Sequence, residues 1–157
     1  MGILHSYRAA VTWTGAGTAG TASYTSYSRD HEIVLAGKPP LLGSADPAFR
    51  GDPTRYNPEE LLVAALSQCH LLWFLHLAAN AGVVVLGYHD DASGTMRVAA
   101  AGAGQFTEVV LRPQLTVQGE VSEQSIAELH ARAGEHCFIT RSVNFPVRVE
   151  QGTISRV

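Results

Sequence analysis

Residues 57–82 read NPEELLVAALSQCHLLWFLHLAANAG, and this stretch predicts one long helix. Asn57 suits the N-cap, and Pro58 suits the first helical position, where a missing N–H costs nothing. Glu59 and Glu60 bring negative charge to the first turn, and Glu60 is placed to close a capping box with Asn57. No Gly or Pro interrupts the run before Asn80–Gly82, which supplies the stop. A helix of about 22 residues at 1.5 Å each spans roughly 33 Å. No polar stripe runs along it, so it is expected to be buried all round. Cys69 falls near its middle, followed at once by His70.

Outward from that helix, a chain of 157 residues is expected to form one domain, 1–157, with a real core. A hydrophobic share of 46% and a charged share of 16% describe a globular protein. A net charge of −3 argues against a general nucleic-acid binder. Ser67, Gln68, His70 and His76 interrupt the apolar run, and acids rather than Lys or Arg flank it, so no membrane span is expected. The opening MGILHSYRAAVTW lacks a basic region followed by an apolar core. These features predict a cytoplasmic protein, in which two cysteines are not a permanent staple.

Residues 4–14 read as a strand, GAGTAG as a turn, and the run from TASYTSYSRD to HEIVLAG as two more strands. Residues 37–56, with four of the seven prolines, read as a long ordered loop that delivers Arg50 and Arg55 just upstream of the helix. After the helix, VVVLGYHDDASGTMRVAAAG reads as a hairpin or bent pair of strands. FTEVVLRPQLTVQGEV reads as a strand in which Pro113 marks an edge or bulge. Ser122 caps a second helix that Gly134 is expected to end, and a turn holding Cys137 leads to a last strand. The order βββ–α–βββ–α–β predicts an α+β fold, antiparallel sheet around a buried central helix.

A buried cysteine is by default a small hydrophobe. Cys69, however, has polar company. It lies three turns into its helix, beyond the reach of the N-terminal dipole, so a reactive thiolate there needs a side-chain cation. Arg50, Arg55 and Arg141 are candidates, and Glu59 is placed to hold an arginine. Trp73 and His76 share a helical face with Cys69. The pairs Cys69–His70 and His136–Cys137 suggest a metal, but adjacent helical residues diverge by about 100° and no CxxC or HxxxH spacing is present. No metal site is expected.

Asn57-Pro58-Glu59-Glu60-Leu61, an Ala-rich turn, and Cys69 ten residues after Glu59 resemble the helix of the osmotically inducible protein C (OsmC) and organic hydroperoxide resistance (Ohr) family. A second cysteine 68 residues later, after a short helix and before a final strand, extends the resemblance over most of the chain. It implies an OsmC-like fold in an intertwined homodimer with active sites at the subunit interface. It also implies a thiol peroxidase without cofactor, taking a peroxide substrate and an external dithiol reductant. Cys69 would be the peroxidatic cysteine, Cys137 the resolving one, and Glu59 the acid that orients an arginine. Arg50 is the first choice for that arginine and Arg55 the second. Arg55, Trp73 and Phe138 are expected on the substrate side. Where the family usually has proline after its second cysteine and serine two further on, this chain has Phe138-Ile139-Thr140. The alternatives to a peroxidase are a non-catalytic dimer of the same fold, binding an apolar small molecule beside Cys69, and a structural protein with inert core cysteines.

Overall fold

The computed structural model describes residues 2–100 and 102–157. The chain divides into two compact units, Met1–Leu61 and Leu62–Val157. In the first, strands β1 (Ala10–Trp13), β2 (His31–Val34) and β3 (Leu41–Gly43) form an antiparallel sheet in that order. The sequence reading is corrected here twice. Residues 23–28 are turn rather than strand, held by Ser26 Oγ donating to Gly20 O at 2.6 Å and by Ser28 N donating to Gly15 O at 2.9 Å. The stretch read as a loop contains β3, paired with β2 from His31↔Gly43 to Ile33↔Leu41. The remainder of that loop is ordered around Ser44, fully buried, whose Oγ donates to Asp30 Oδ1 and accepts from Asp52 N, both at 3.1 Å.

Helix α1 (Pro58–Asn80) begins and ends as its sequence dictates. Glu60 N donates to Asn57 Oδ1 at 2.8 Å, and Asn57 N donates to Glu60 Oε2 at 3.2 Å, a reciprocal capping box. At the far end Gly82 takes φ +72, Val83 N reaches Ala78 O and Gly82 N reaches Ala79 O, which closes the last carbonyls in a Schellman turn. Asn57→Ala removes one side of the capping box and is expected to cost about 1 kcal/mol. Urea unfolding checks this, and an unchanged midpoint would mean the box contributes nothing.

In the second unit the strands β4 (Val85–Asp90), β5 (Ser93–Val98), β6 (Gly104–Leu111), β7 (Pro113–Val117), β8 (Val147–Val149) and β9 (Ile154–Arg156) form two three-stranded sheets. Their orders are β4-β7-β9 and β5-β6-β8. Of the two readings of this stretch, hairpin or bent pair of strands, the hairpin does not form: β4 and β5 pair with different strands, because the chain crosses between sheets after Asp90 and crosses back at Arg112. Asp90 ties the two crossings together by accepting from Arg112 N at 2.6 Å. Strands β8 and β9 pair in parallel, with β6 and β7 respectively, and the remaining pairings are antiparallel. The architecture is α+β. Helix α2 (Glu123–His136) is capped by Ser122 Oγ, which accepts from Ser125 N, and it runs through Gly134, which was expected to stop it.

Helix α1 is not buried all round within this chain. Its buried residues, Leu66, His70, Phe74, Leu77 and Ala78, form one stripe. Phe74, Leu77 and Ala78 pack with Leu115, Val117, Ile126, Leu129 and Ala133, while Leu66 packs with Val109 and Leu111. On the other face Leu72 is 63% and Leu75 37% exposed. The helix is long and apolar enough to cross a membrane. Its polar residues are nonetheless used in the folded unit, Ser67 donating to Asp90 and His70 bonding to His130.

The His70–His130 pair is the polar feature of this core. His70 Nε2 lies 2.9 Å from His130 Nδ1, and Phe74 stacks on the His130 ring at 4.2 Å. Burial pulls the His130 imidazole down to about 4, helped by His70 and opposed by Gln151. Burial also lowers His70, against the pull of Asp90. As pH falls, the unfolded chain takes up these protons first. The stability gained by keeping the rings neutral is therefore complete above about pH 6.5 and drains away as pH falls toward 4, by about 3 kcal/mol for His130. Urea midpoints measured across that window should fall accordingly, and a flat profile would show that the rings titrate alike in both states.

Candidate functional site

Two elements of the second unit bring the cysteines together. Cys69 is presented, half-buried, from the middle of α1, and Cys137 is the fully buried C-cap of α2. Cys137 N still donates to Ala133 O, and its own ψ of 112 turns the chain out of the helix. The chain then curls into a 3₁₀ turn at Thr140–Ser142, fixed by Arg141 N to Cys137 O at 3.0 Å and Ser142 Oγ to Phe138 O at 2.7 Å. This curl directs main-chain N–H groups at both sulfurs. Thr140 N lies 3.4 Å from Cys137 Sγ, and the Phe138 and Ile139 amides act on Cys69.

The thiols are free and adjacent, each within hydrogen-bonding influence of the other. Burial pushes the Cys69 thiol up, and the Cys137 thiol pushes it the same way, while the Ile139 and Phe138 amides pull it down. The balance is upward, so these groups alone keep Cys69 protonated at neutral pH. A thiolate here requires an added positive charge.

An aromatic cluster flanks the pair. Trp73, one turn after Cys69, meets Phe138 edge-on at 5.6 Å, His76 edge-on at 5.6 Å and His136 at 5.1 Å. Phe138 is 67% exposed, an apolar surface held open next to Cys137. Among the described residues no group of three or more His, Cys, Asp or Glu side chains converges as a metal site would require.

Of the remaining candidates, Arg141 lies in the second unit, where its Nη1 donates to Glu135 O at 3.4 Å, and the others lie in the first. Arg50 is the left-handed C-cap of a 3₁₀ turn, with φ 66, and its guanidinium is 6.0 Å from the Tyr24 ring. Arg55 is engaged by Asp52 at 3.7 Å and Asp30 at 3.8 Å. Glu59, in the first turn of α1, lines a cavity of about 430 Å³ together with Trp13, Tyr27, His31, Ser44 and Arg29. Neither Arg50 nor Arg55 is among the residues lining that cavity.

Arg29, which the sequence reading did not weigh as a candidate, also lines that cavity. Its guanidinium donates to Tyr27 O at 2.8 Å and Tyr24 O at 2.9 Å, and the Tyr24 and Tyr27 rings stand 4.3 and 4.2 Å from it. Such a double cation–π seat holds the charge in place without neutralising it. The signal was present in Tyr24-Thr25-Ser26-Tyr27-Ser28-Arg29, where two aromatics precede an arginine within one turn.

Residues 51–151 match the family described as OsmC-like protein. Among solved structures, the chain is similar to an OsmC-like protein of unknown function from Vibrio cholerae. The identity is 35%, coverage is 95% of this chain and 100% of that one, and the TM-score is 0.85. It shares its fold with an organic hydroperoxide resistance protein from Elizabethkingia anophelis, at 18% identity, complete coverage of both chains and a TM-score of 0.71. It shares it likewise with the organic hydroperoxide resistance protein of Bacillus subtilis, at 16% identity, 96% and 100% coverage and a TM-score of 0.68. No curated protein matches in sequence.

Proposed function

The chain belongs to the OsmC-like family, and from that premise we propose that it is a cytoplasmic thiol-dependent peroxidase that reduces organic hydroperoxides. The observation that carries this reading is the adjacency of two free thiols 68 residues apart in sequence. An inert core has no use for a second sulfur beside the first. Cys69 attacks the terminal oxygen of the peroxide as thiolate. The S–O bond forms as the O–O bond breaks, and the departing alkoxide takes a proton to leave as alcohol. Cys137 then attacks the Cys69 sulfenic acid, forming the disulfide and releasing water. An external dithiol returns the pair to thiols by exchange, and is itself oxidised to a disulfide. The Phe138 and Ile139 amides hold the reacting sulfur, while Trp73 and Phe138 receive the organic part of the substrate.

The reading needs a positive charge for Cys69, and the candidate it takes is Arg29, which shares a cavity with Glu59. Support for Arg29 over Arg50 and Arg55 comes from the cavity it shares with Glu59 and from its seating between two tyrosines. Support for a dimer comes from the uncovered apolar face of α1 at Leu72 and Leu75, and from Ile3, Leu4 and Tyr7, all more than four-fifths exposed. Sedimentation at micromolar concentration should give about twice the 16.8 kDa chain mass. A stable monomer would remove the subunit interface from the mechanism.

The direct test is intact mass after one equivalent of cumene hydroperoxide. The peroxidase loses two hydrogens as the disulfide closes. An unchanged mass with both thiols free would overturn this reading. It would favour the second, a dimer that binds an apolar small molecule at the exposed Trp73–Phe138 cluster without turnover.

A further inference from the structure

A handful of contacts decides where Cys137 stands against Cys69. Cys137 is the C-cap of α2, its N–H donates to Ala133 O, and its carbonyl accepts from Arg141 N. The sulfur therefore goes where the end of α2 goes. Most of what holds α2 to α1 is apolar, with Phe74, Leu77 and Ala78 packed in one cluster with Ile126, Leu129 and Ala133. Apolar contact is non-directional, and it fixes the slide and turn of one helix on another less sharply than a hydrogen bond does. A slip of α2 by one residue would carry Cys137 about 1.5 Å along the axis. A disulfide tolerates little of that, because its S–S bond is about 2.05 Å long and its dihedral angle is narrowly set.

One directional contact crosses between the helices. His70 Nε2 lies 2.9 Å from His130 Nδ1, and among the described residues this is the one side-chain hydrogen bond that joins α1 to α2. His70 follows Cys69 directly, and His130 stands two turns before Cys137 on the buried face that Ile126, Leu129 and Ala133 share. Both rings are buried. Their planes are within 7° of parallel and their centroids 5.2 Å apart, the full span of two imidazoles sharing so short a contact. The bond therefore lies in both ring planes, along the line that joins their centres. Phe74 stacks on the His130 ring at 4.2 Å and holds its orientation. Gln151 acts on His130 as a hydrogen-bonding group and favours a proton on Nε2, which leaves Nδ1 to accept from His70 Nε2–H. Apolar rings of the same shape would hold the core about as well. What the imidazoles add is direction.

We propose that His70 and His130 are positioning residues for disulfide closure, their bond setting the register of α2 on α1 so that Cys137 is held within reach of Cys69. In that closure the Cys137 sulfur displaces the oxygen of the Cys69 sulfenic acid. The S–S bond forms as the S–O bond breaks, and the oxygen leaves as water with the sulfenic and Cys137 protons. The inference rests on the reading of the two cysteines as a working dithiol.

The test compares His130→Phe, which keeps a ring for Phe74 but removes Nδ1, with His130→Asn, whose side-chain oxygen takes the place of Nδ1 as acceptor. Each full-length protein is equilibrated with mixtures of reduced and oxidised dithiothreitol, the disulfide is scored by intact mass, and urea unfolding of the reduced form is measured beside it. In His130→Phe the equilibrium constant for closure should fall about tenfold, a rise of about 30 mV in reduction potential. His130→Asn loses the stack on Phe74 and some stability with it, yet it should recover most of the potential. A merely structural role would move the potential in step with the unfolding midpoint. Should His130→Phe fail to fold, the wild type decides. Closing its disulfide should slow solvent exchange of the His70 Nε2 proton severalfold, because coupling between the two bonds is reciprocal. An unchanged potential in folded His130→Phe would overturn the proposal, and so, in its absence, would an exchange rate indifferent to the disulfide. The expected shift in a protein that leaves hydroperoxide untouched would uphold the positioning role and end the peroxidase reading. Thiols that form no disulfide in any dithiothreitol mixture would end both.

Discussion

Cys69→Ser is expected to reduce hydroperoxide consumption to the rate of buffer alone, a loss on the order of 10³-fold or more. Serine fits the half-buried site on α1 with little change in packing, so stability should hold while nucleophilicity disappears. Cys137→Ser separates the two steps. Its Cys69 should still react once, gaining one oxygen, and the resulting sulfenic acid should be trapped by a dimedone-type reagent and over-oxidised by excess peroxide. Turnover with a dithiol should fall without vanishing, because a small external thiol can reach the half-buried Cys69 in place of the buried Cys137. Inert core cysteines would behave otherwise. Both variants would lose a little stability, and peroxide would leave both masses unaltered. Equal consumption by wild type and Cys69→Ser would end the assignment of Cys69.

What was legible in the sequence is what is decided over short distances. The Asn57–Glu60 box joins residues three apart, and the Gly82 turn closes within five residues, so both were readable. Strand pairing is decided elsewhere. Val85–Asp90 and Ser93–Val98 look like a hairpin locally, but Asp90 and Arg112 send them into different sheets. Gly134 looked like a terminator, yet Ser122 capping and the Ile126, Leu129 and Ala133 face carry α2 past it. The all-round apolarity of α1 was legible as composition, and within one chain a single stripe of it is covered. The proximity of Cys69 and Cys137 across 68 residues has no local signature, and only the family resemblance pointed to the pair. The seat of Arg29 could not be read, because it depends on a turn, Gly20–Ser28, whose serine-mediated hydrogen bonds leave no periodic trace.

Arg29→Gln should lower the rate constant for Cys69 with hydroperoxide on the order of 10²–10³-fold at neutral pH. Burial and the neighbouring thiol hold the Cys69 pKa above its ordinary value, and the two amides that oppose them leave the balance upward. In the proposed mechanism the activated thiolate draws its stabilisation from a fixed cation, which also balances the charge developing on the departing alkoxide. Gln keeps a neutral amide donor but removes the charge and the two-nitrogen fork that bonds Tyr27 O and Tyr24 O. The rate of Cys69 alkylation should accordingly rise with pH along a curve displaced by about one unit or more to the alkaline side of wild type. A merely structural role for Arg29 would lower rates without moving that curve. Arg29→Lys restores the charge but not the planar fork that sits between the two rings, and it should recover the pH profile better than the rate. Arg50→Ala and Arg55→Ala provide the contrast, because neither side chain lines the cavity with Glu59, and both should alkylate with a profile close to wild type. Should Arg50→Ala displace the curve while Arg29→Gln leaves it in place, the charge belongs to Arg50, and the shared cavity of Arg29 and Glu59 has some other use.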